Sequence, residues 1–388
     1  MQEKIKRLVE WSRGKKLGPL SIEIWPTNKC NLKCVMCGTL AERERLMENG
    51  KYDKEEEESG EMNEEKFIEI LKESIELGVK ECLITGGGEP LVKKPITFGL
   101  AEIAKKHGLY GNINTNGTLF TKEDIIKLIE IGWDRIMFSI DGPDAETHDF
   151  IRSVPGTFDR CMTSLQLLKN LKEEYGKDKP AISFNVVIHN RNYKNLSEMI
   201  KLAQKVNCED ITFMPLISFE NMRDTLNLDK GQWNELRKLV PYIKKLSKKY
   251  GITTNIEEFS GVSSQSLNGG SPEAEIEVKA ETEDGLSLPN AIGKEISPFS
   301  YVPCYEPFLH VVVKPGGHVS PCCMIYGEDN IKGKSLEDVW FGEYFNSLRN
   351  LFLRKKIPKE CSTCVHSQFV RNKILREKLK NILFNKSS

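Results

Sequence analysis

Short apolar runs and amphipathic stretches alternate along most of the chain. Residues 21–25 alternate in the manner of a strand. Asn63 stands as an N-cap before Phe67, Ile70, Leu71, Ile75 and Leu77, an apolar stripe at helical spacing. Strands are then predicted at 81–85, 110–114, 135–140, 181–188 and 210–214. Helices are predicted between them at 94–107, 121–131, 157–175 and 194–206. Strands separated by helices form βαβ units and a parallel sheet. Counting residues 21–25, the pattern gives six strands, too few for an eight-stranded closed barrel. A partial (β/α)6 barrel of the α/β class is therefore expected.

The flanking segments differ in character. Residues 1–17 hold a short basic helix, and 18–225 are assigned to the barrel. Residues 41–61 are densely charged, with four glutamates at 55–58, and read as a solvated loop. Residues 226–300 comprise a helix near 230–250, with Trp233, Leu236, Leu239, Val240, Ile243 and Leu246 at helical spacing. A Ser-, Gly-, Glu- and Pro-rich linker or lid over 258–300 follows. Residues 301–366 read as a small β-hairpin and helix domain with a strand at 309–313. Residues 367–388 form a basic amphipathic tail that is expected to be a surface-packed helix.

Composition excludes several classes. Lys plus Arg and Asp plus Glu both number 56 in 388 residues, so the net charge is zero. That balance does not suit a protein that works by neutralising a nucleic-acid backbone. The N-terminus lacks the apolar core and cleavage site of a secretory signal, and no run approaches the length of a transmembrane helix. A cytoplasmic location is expected. In a reducing compartment, eleven cysteines imply metal ligation or buried thiols before disulfides.

Their spacing separates them. Cys82, Cys161 and Cys208 are scattered singly and are expected in the core. Cys30, Cys34 and Cys37 form a C-x3-C-x2-C run just after the first strand. Three thiolates hold three corners of a cubane iron–sulfur cluster and leave one iron open; a three-cysteine zinc site is the alternative on spacing alone. Cys304, Cys322, Cys323, Cys361 and Cys364 make a second group, suited to zinc or a second cluster.

The cysteine run, placed after the first strand of a βα series, resembles the signature of the radical S-adenosylmethionine enzymes. Other stretches resemble the same family. Thr85-Gly86-Gly87-Gly88-Glu89-Pro90 ends the second strand, and Asn112-Ile113-Asn114-Thr115-Asn116-Gly117 the third. Ser139-Ile140-Asp141-Gly142, with His148 and Arg152 beyond, ends the fourth. The resemblance implies a 4Fe–4S cluster on Cys30, Cys34 and Cys37 whose open iron chelates S-adenosylmethionine. Reductive cleavage then gives a 5′-deoxyadenosyl radical that abstracts hydrogen from substrate. It implies Glu89 as an acceptor for the cofactor ammonium, with Gly87 and Gly88 beside it. Ser139 falls at the ribose and Arg152 at the carboxylate, with Asn114 and Asn185 near the cofactor. Met36 occupies a position that is usually aromatic and is able to pack against the adenine.

The C-x12-G-x4-C spacing from Cys304 through Gly317 to Cys322 resembles the auxiliary-cluster domains called SPASM and twitch. No cysteine follows Cys364. One auxiliary 4Fe–4S cluster on Cys304, Cys322, Cys361 and Cys364 is therefore implied, with Cys322 and Cys323 interchangeable. The expected function is a radical oxidoreductase, of dehydrogenation or epimerisation type, in which the auxiliary cluster relays an electron. An external donor such as flavodoxin or ferredoxin is implied. Peptide-modifying members commonly carry a leader-binding region ahead of the barrel, whereas 29 residues precede Cys30 here. That predicts a small, sugar-like or metabolite substrate. A peptide or protein maturase is the alternative, and a zinc-stabilised binding protein without redox chemistry is the alternative from another class.

Overall fold

The computed structural model describes residues 1–39, 60–217, 226–260, 298–325, 327–364 and 366–385. Most of the charged loop expected at 41–61 and most of the linker at 258–300 lie outside these residues.

Six parallel strands lie side by side in chain order: β1 (Ser21–Ile24), β2 (Glu81–Ile84), β3 (Tyr110–Thr115), β4 (Arg135–Ser139), β5 (Ala181–Ile188) and β6 (Asp210–Pro215). A short parallel strand, β7 (Thr253–Thr254), extends the β6 edge. On the other edge β8 (His310–Val313) runs parallel to β1, with Ser21 opposite His310 and Glu23 opposite Val312. It continues antiparallel into β9 (His318–Ser320) and β10 (Asp329–Asn330). The C-terminal hairpin thus extends the barrel sheet and does not stand apart from it. Gly317, at φ +87°, makes the β8–β9 turn; a Cβ there would lie 2.5 Å from the Asn330 side-chain oxygen. This is a physical reason for the glycine in the C-x12-G-x4-C spacing.

Helices cover the outer face. They are α1 (Gln2–Ser12), α2 (Glu64–Glu76), α3 (Lys94–Lys106), α4 (Lys122–Glu130), α5 (Ala145–Arg152), α6 (Thr157–Glu174), α7 (Leu196–Lys205) and α8 (Lys230–Tyr250). Local chemistry sets their ends. Asn63 caps α2 through the Lys66 N–H, Thr121 and Asp124 form a capping box on α4, and Asp229 and Gln232 form one on α8. The short α9 (Glu306–Leu309) leads into β8, and beyond the hairpin lie α10 (Leu336–Trp340), α11 (Glu343–Leu353) and α12 (His366–Asn385).

The main core lies between strands and helices. Ile22, Ile24, Ile84, Ile113, Phe138 and Phe184 meet Phe67, Leu71, Leu100, Leu128 and Leu165 there, all fully buried. Cys82, Cys161 and Cys208 are buried in the same layer, as their isolated positions suggested. A second cluster joins Leu8, Leu20, Val302, Tyr305 and Phe308 to Leu375 and Leu379. The C-terminal helix is therefore docked through its apolar residues.

The alternate strand positions form the concave face, only partly exposed: Glu23, Asn112, Asn114, Ser139, Asn185 and Thr212 are polar there, and Leu83, Met137, Val187 and Met214 lie among them. At the N-terminal end of the strands, Arg135 bonds Tyr110 Oη and Ser183 Oγ and pairs with Asp210. This network closes the barrel floor, so open chemistry is left to the opposite rim.

Gly111 on β3 makes room for Trp133: a Cβ would lie 2.3 Å from the indole ring. Gly111→Ala is expected to destabilise the fold by about 1–3 kcal/mol through overpacking, read as a lower urea midpoint. An unchanged midpoint would show that the indole shifts freely.

Candidate active site

The loop after β1 carries the first cysteine group and is tied down from several sides. Trp25 N–H bonds the Val313 carbonyl at 2.9 Å. Thr27 Oγ1 donates to Glu61 at 2.8 Å, and the Asn28 N–H donates to the same carboxylate at 2.7 Å. The Gly88 and Glu89 N–H groups donate to the Thr27 and Lys29 carbonyls, at 3.1 and 2.9 Å. A Cβ on Gly88 would lie 2.1 Å from the Lys29 carbonyl oxygen, and one on Gly87 2.4 Å from Asn28 Oδ1. The glycine tract is therefore required for the second loop to lie on the cysteine loop. Asn31 and Asn116 exchange a side-chain bond of 2.9 Å, and Val35 N–H bonds the Ile151 carbonyl at 2.9 Å. Strands β2 and β3 and helix α5 thus jointly position Cys30, Cys34 and Cys37.

Cys30 is exposed, and Cys34 and Cys37 are half-buried. Burial pushes the Cys30 thiol up to about 11, and Glu89, Cys34 and Cys37 add to the rise against a bond from the Leu32 N–H. Burial also raises Cys34, opposed by the Arg152 guanidinium, whose Nη1 lies 3.7 Å from its Sγ. The three thiols therefore share one electrostatic neighbourhood, and a positive metal centre would stabilise their thiolates.

The residues expected around the cofactor fall into two sets. Ser139, Asn114, Asn185 and Arg152 gather near the cysteine loop. Ser139 Oγ donates to Asn114 Oδ1 at 3.3 Å, and Ser139 stands in register with Asn185. Arg152, at the end of α5, donates to the Ser139 carbonyl at 2.8 Å and pairs with the fully buried Asp141 at 2.5 Å. Burial would lower the guanidinium, but Asp141 and Cys34 raise it. Its Nε is buried and has no partner among the described residues.

Glu89 and Met36 sit differently. Glu89, 3% exposed, accepts bonds from Thr115 Oγ1 at 2.6 Å and from the Asn116 and Leu91 N–H groups at 2.8 and 3.2 Å. Its carboxylate is directed into the neighbouring loop, where it braces the rim. Met36 packs on Ile151, Leu216 and Leu226.

Sequence reasoning did not single out Asp141, Asn192 or Glu61. Asp141 also accepts the Val187 N–H at 2.9 Å, and Asn192 Nδ2 bonds the Asp141 and Val187 carbonyls at 2.8 and 2.7 Å. Asp141 lay within the Ser-Ile-Asp-Gly stretch, so its signal was available. Glu61 adjoined a run of like residues and offered none. His148 and His189 are buried and neutral at physiological pH, lowered to about 3 and about 4 by burial first. Each accepts a backbone N–H through Nδ1, from Asp141 and from Arg191.

The second group gathers where the C-terminal elements meet. Cys304 follows a 3-10 turn, Pro298–Tyr301; Cys322 follows β9; Cys361 and Cys364 flank the end of another, Lys359–Thr363. Asn372 of α12 donates to Cys304 Sγ at 3.6 Å. Cys304 is raised by burial, then by Glu306, Cys322 and Cys364. Cys361 is pushed up to about 12 by burial, then by Cys322 and Cys364. The four thiols thus lie within electrostatic reach of one another. Cys322 is half-buried and its neighbour Cys323 exposed.

These donor sets suit iron–sulfur clusters. All the cysteines are free thiols, and each group is brought together by the fold. Cysteine thiolates are the ligands that hold such clusters. The unpartnered Arg152 Nε beside Cys34 fits an anionic cofactor group such as a carboxylate.

A parallel partial barrel with a three-cysteine loop above its first strand defines a cluster-dependent α/β enzyme. Residues 24–203 match the Radical SAM superfamily, and residues 304–365 match SPASM, an iron–sulfur cluster-binding domain. The chain belongs to the radical SAM enzymes and carries a SPASM-type domain. Its cofactors are accordingly S-adenosylmethionine, a three-cysteine 4Fe–4S cluster and auxiliary iron–sulfur ligation.

Relatives include the AdoMet-dependent heme synthase of Methanosarcina barkeri, 32% identical over 180 residues, 46% of each chain. This chain thus aligns with about half the length of that relative. The tungsten-containing aldehyde ferredoxin oxidoreductase cofactor-modifying protein of Pyrococcus furiosus is 26% identical over 87% of this chain and 85% of its own. Among solved structures, SuiB of Streptococcus suis bound to S-adenosylmethionine superposes with a TM-score of 0.62 at 19% identity. That match covers 90% of this chain and 72% of SuiB. The native anSMEcpe enzyme with bound AdoMet and a peptide gives 0.58 at 17%, covering 95% and 100%. At such identities these two structures speak for the fold. Among the described residues no helix is long and apolar enough to cross a membrane.

Proposed function

We propose that this enzyme oxidises a small, hydrogen-bonding molecule, of sugar-like or metabolite type, with an auxiliary 4Fe–4S cluster as the electron acceptor. The observation that carries the reading is the set of polar positions Asn112, Asn114, Ser139, Asn185 and Thr212 on the concave face below the cysteine rim, set among the apolar Leu83, Met137, Val187 and Met214. Such a lining suits a ligand rich in hydroxyl or amide groups. The Pyrococcus furiosus relative, aligned along most of both chains, supports it, because its name describes modification of a cofactor. Cys30, Cys34 and Cys37 hold the catalytic cluster, and Cys304, Cys322, Cys361 and Cys364 the auxiliary one. When bound, the first cluster and S-adenosylmethionine supply an electron and a hydrogen-abstracting 5′-deoxyadenosyl group.

The chain's own residues do the rest. Arg152 holds the cofactor carboxylate through its free Nε edge while it stays anchored to Asp141 and Ser139. Asn114, Ser139 and Asn185 hydrogen-bond the ribose and substrate from the strand ends. Gly87, Gly88 and Glu89 act as positioning residues for the cysteine loop, and Met36 closes its apolar side. An external ferredoxin- or flavodoxin-like donor supplies the electron.

A second reading, peptide modification, is favoured by relatives named PqqA peptide cyclase and mycofactocin maturase, 28% and 30% identical over about half of this chain. Deuterium transfer separates the two. Reconstituted enzyme with dithionite and S-adenosylmethionine is expected to form 5′-deoxyadenosine that acquires deuterium from a perdeuterated polyol or sugar panel. Label acquired only from peptides would transfer the proposal to the second reading, and no 5′-deoxyadenosine at all would overturn both.

A further inference from the structure

One buried polar group on the concave face has no part in holding either set of thiols. Ser21 and Glu23 project from the same side of β1, and His310 lies across the β1–β8 seam in register with Ser21. His310 Nδ1 is 2.7 Å from Ser21 Oγ, and Nε2 is 3.3 Å from Glu23 Oε2. Trp25 Nε1 donates to Glu23 Oε1 at 2.6 Å. The seam joins the strand that feeds the first cysteine loop to the strand that runs between Cys304 and Cys322 of the second cysteine group.

We propose that Glu23 and His310 are the proton site of the oxidation, taking up one proton as the auxiliary site takes up one electron. This rests on the acceptor reading above. Hydrogen abstraction from a hydroxyl-bearing carbon leaves an α-hydroxyalkyl radical, which becomes a carbonyl. The O–H bond breaks, its proton passes to the pair through Glu23, and the electron leaves for the auxiliary cluster. Atoms and charge balance without a further reactant.

Three features suit the pair to this role. A hydroxyl donates or accepts as required, so Ser21 satisfies Nδ1 whether the imidazole is neutral or protonated. The Trp25 indole fixes one Glu23 oxygen and leaves the other for His310. The charged surroundings are mixed. His310 faces Glu23 and Glu306 as anions and Lys4 as a cation, and Glu23 faces Lys314, which itself lies near Cys322 and Cys323. Burial works against an imidazolium, yet the Glu23 bond and the Glu306 and Glu23 charges lift His310 above its ordinary range. Glu23 is lowered in spite of burial, chiefly by His310. A negative charge arriving on the auxiliary site nearby would lift the pair further.

The test is an EPR-monitored redox titration of the auxiliary cluster in reconstituted holoenzyme, from about pH 6 to about pH 9. Below the proton affinity of the pair in the oxidised enzyme, both redox states are protonated and the potential is flat. Above it, the potential falls by about 59 mV for each tenfold drop in proton concentration. His310→Gln is expected to abolish the slope, and Glu23→Gln to move its onset to lower pH. A pH-independent wild-type potential, or one profile shared by all three proteins, would overturn the inference while leaving a reducible cluster in place. Should His310→Gln not assemble a cluster, the wild-type slope and the Glu23→Gln onset still decide. The lack of any reducible second cluster would instead remove the acceptor reading, and this inference with it.

Discussion

Cys34→Ala is expected to abolish cleavage of S-adenosylmethionine and to lower the iron content from about eight to about four atoms per chain. Cys34 makes a cationic contact, with Arg152 at 3.7 Å. Arg152 in turn pairs with buried Asp141 and donates to the Ser139 carbonyl. The cluster thiolate, the proposed cofactor anchor and the end of β4 are thus one electrostatic unit. Two thiolates cannot hold a site-differentiated cubane, so substitution removes the centre and does not merely slow it. The fold is expected to survive, because the loop is also held through Thr27, Asn28, Lys29 and Val35. Anaerobic iron and sulfide assays, circular dichroism and chromatography of 5′-deoxyadenosine check the three parts. Retained cleavage, or an unchanged iron count, would show that the cysteine run is not the catalytic centre.

The same unit shows where sequence reasoning reaches and where it stops. Six strands were legible because runs such as Ala181–Ile188 are apolar on the helix-facing side and bounded by turn residues. Helix α5 was missed. It is eight residues long, and two of its three buried residues, His148 and Arg152, are polar. Such a helix leaves no apolar stripe to read, because its inward face serves the site. The antiparallel hairpin was foreseen as a separate small piece. Its pairing with β1 depends on contacts between residues almost 290 positions apart, as at Ser21 and His310, and no local pattern encodes these.

The site divides on similar lines. The cysteine runs and the Ser-Ile-Asp-Gly stretch announce themselves by residue type and spacing. The direction of a side chain does not. Glu89 was expected to face a cofactor ammonium, and its carboxylate also takes Thr115, Asn116 and Leu91 as donors. The glycines before it were expected beside the cofactor, and they also serve the cysteine loop, since the nearest atoms to a Cβ on Gly88 belong to Lys29 and Asn28. In both cases the residue type was legible in the sequence and its partners within the protein were not. A carboxylate or a glycine serves a neighbouring loop by the same chemistry with which it serves a ligand. Glu23 and His310 carried no motif at all, and their pairing across the β1–β8 seam is a product of the fold.

The paired change Cys361→Ala and Cys364→Ala is expected to remove about four irons while leaving S-adenosylmethionine cleavage in place. These cysteines lie on the turn before α12, and the first group lies on the loop after β1. Cys361 and Cys364 influence Cys322, Cys304 and each other electrostatically. Two of four ligands would go, and with them the cluster. The C-terminal helix is expected to stay docked, because Leu375 and Leu379 are buried with Leu8, Leu20 and Phe308, a cluster that Cys361 only edges. The barrel sheet, the Arg152–Asp141 pair and the rim built on Glu89 do not use this turn. The variant should therefore show one cluster signal by EPR in place of two and still form 5′-deoxyadenosine. Oxidised product should be lost, because the electron released with it has no acceptor. If the iron content stayed the same and zinc were found in the wild type, the second cysteine group would be a structural zinc site. If cleavage were lost together with the iron, the two centres would be structurally interdependent, with the β1–β8 seam as the connection between them.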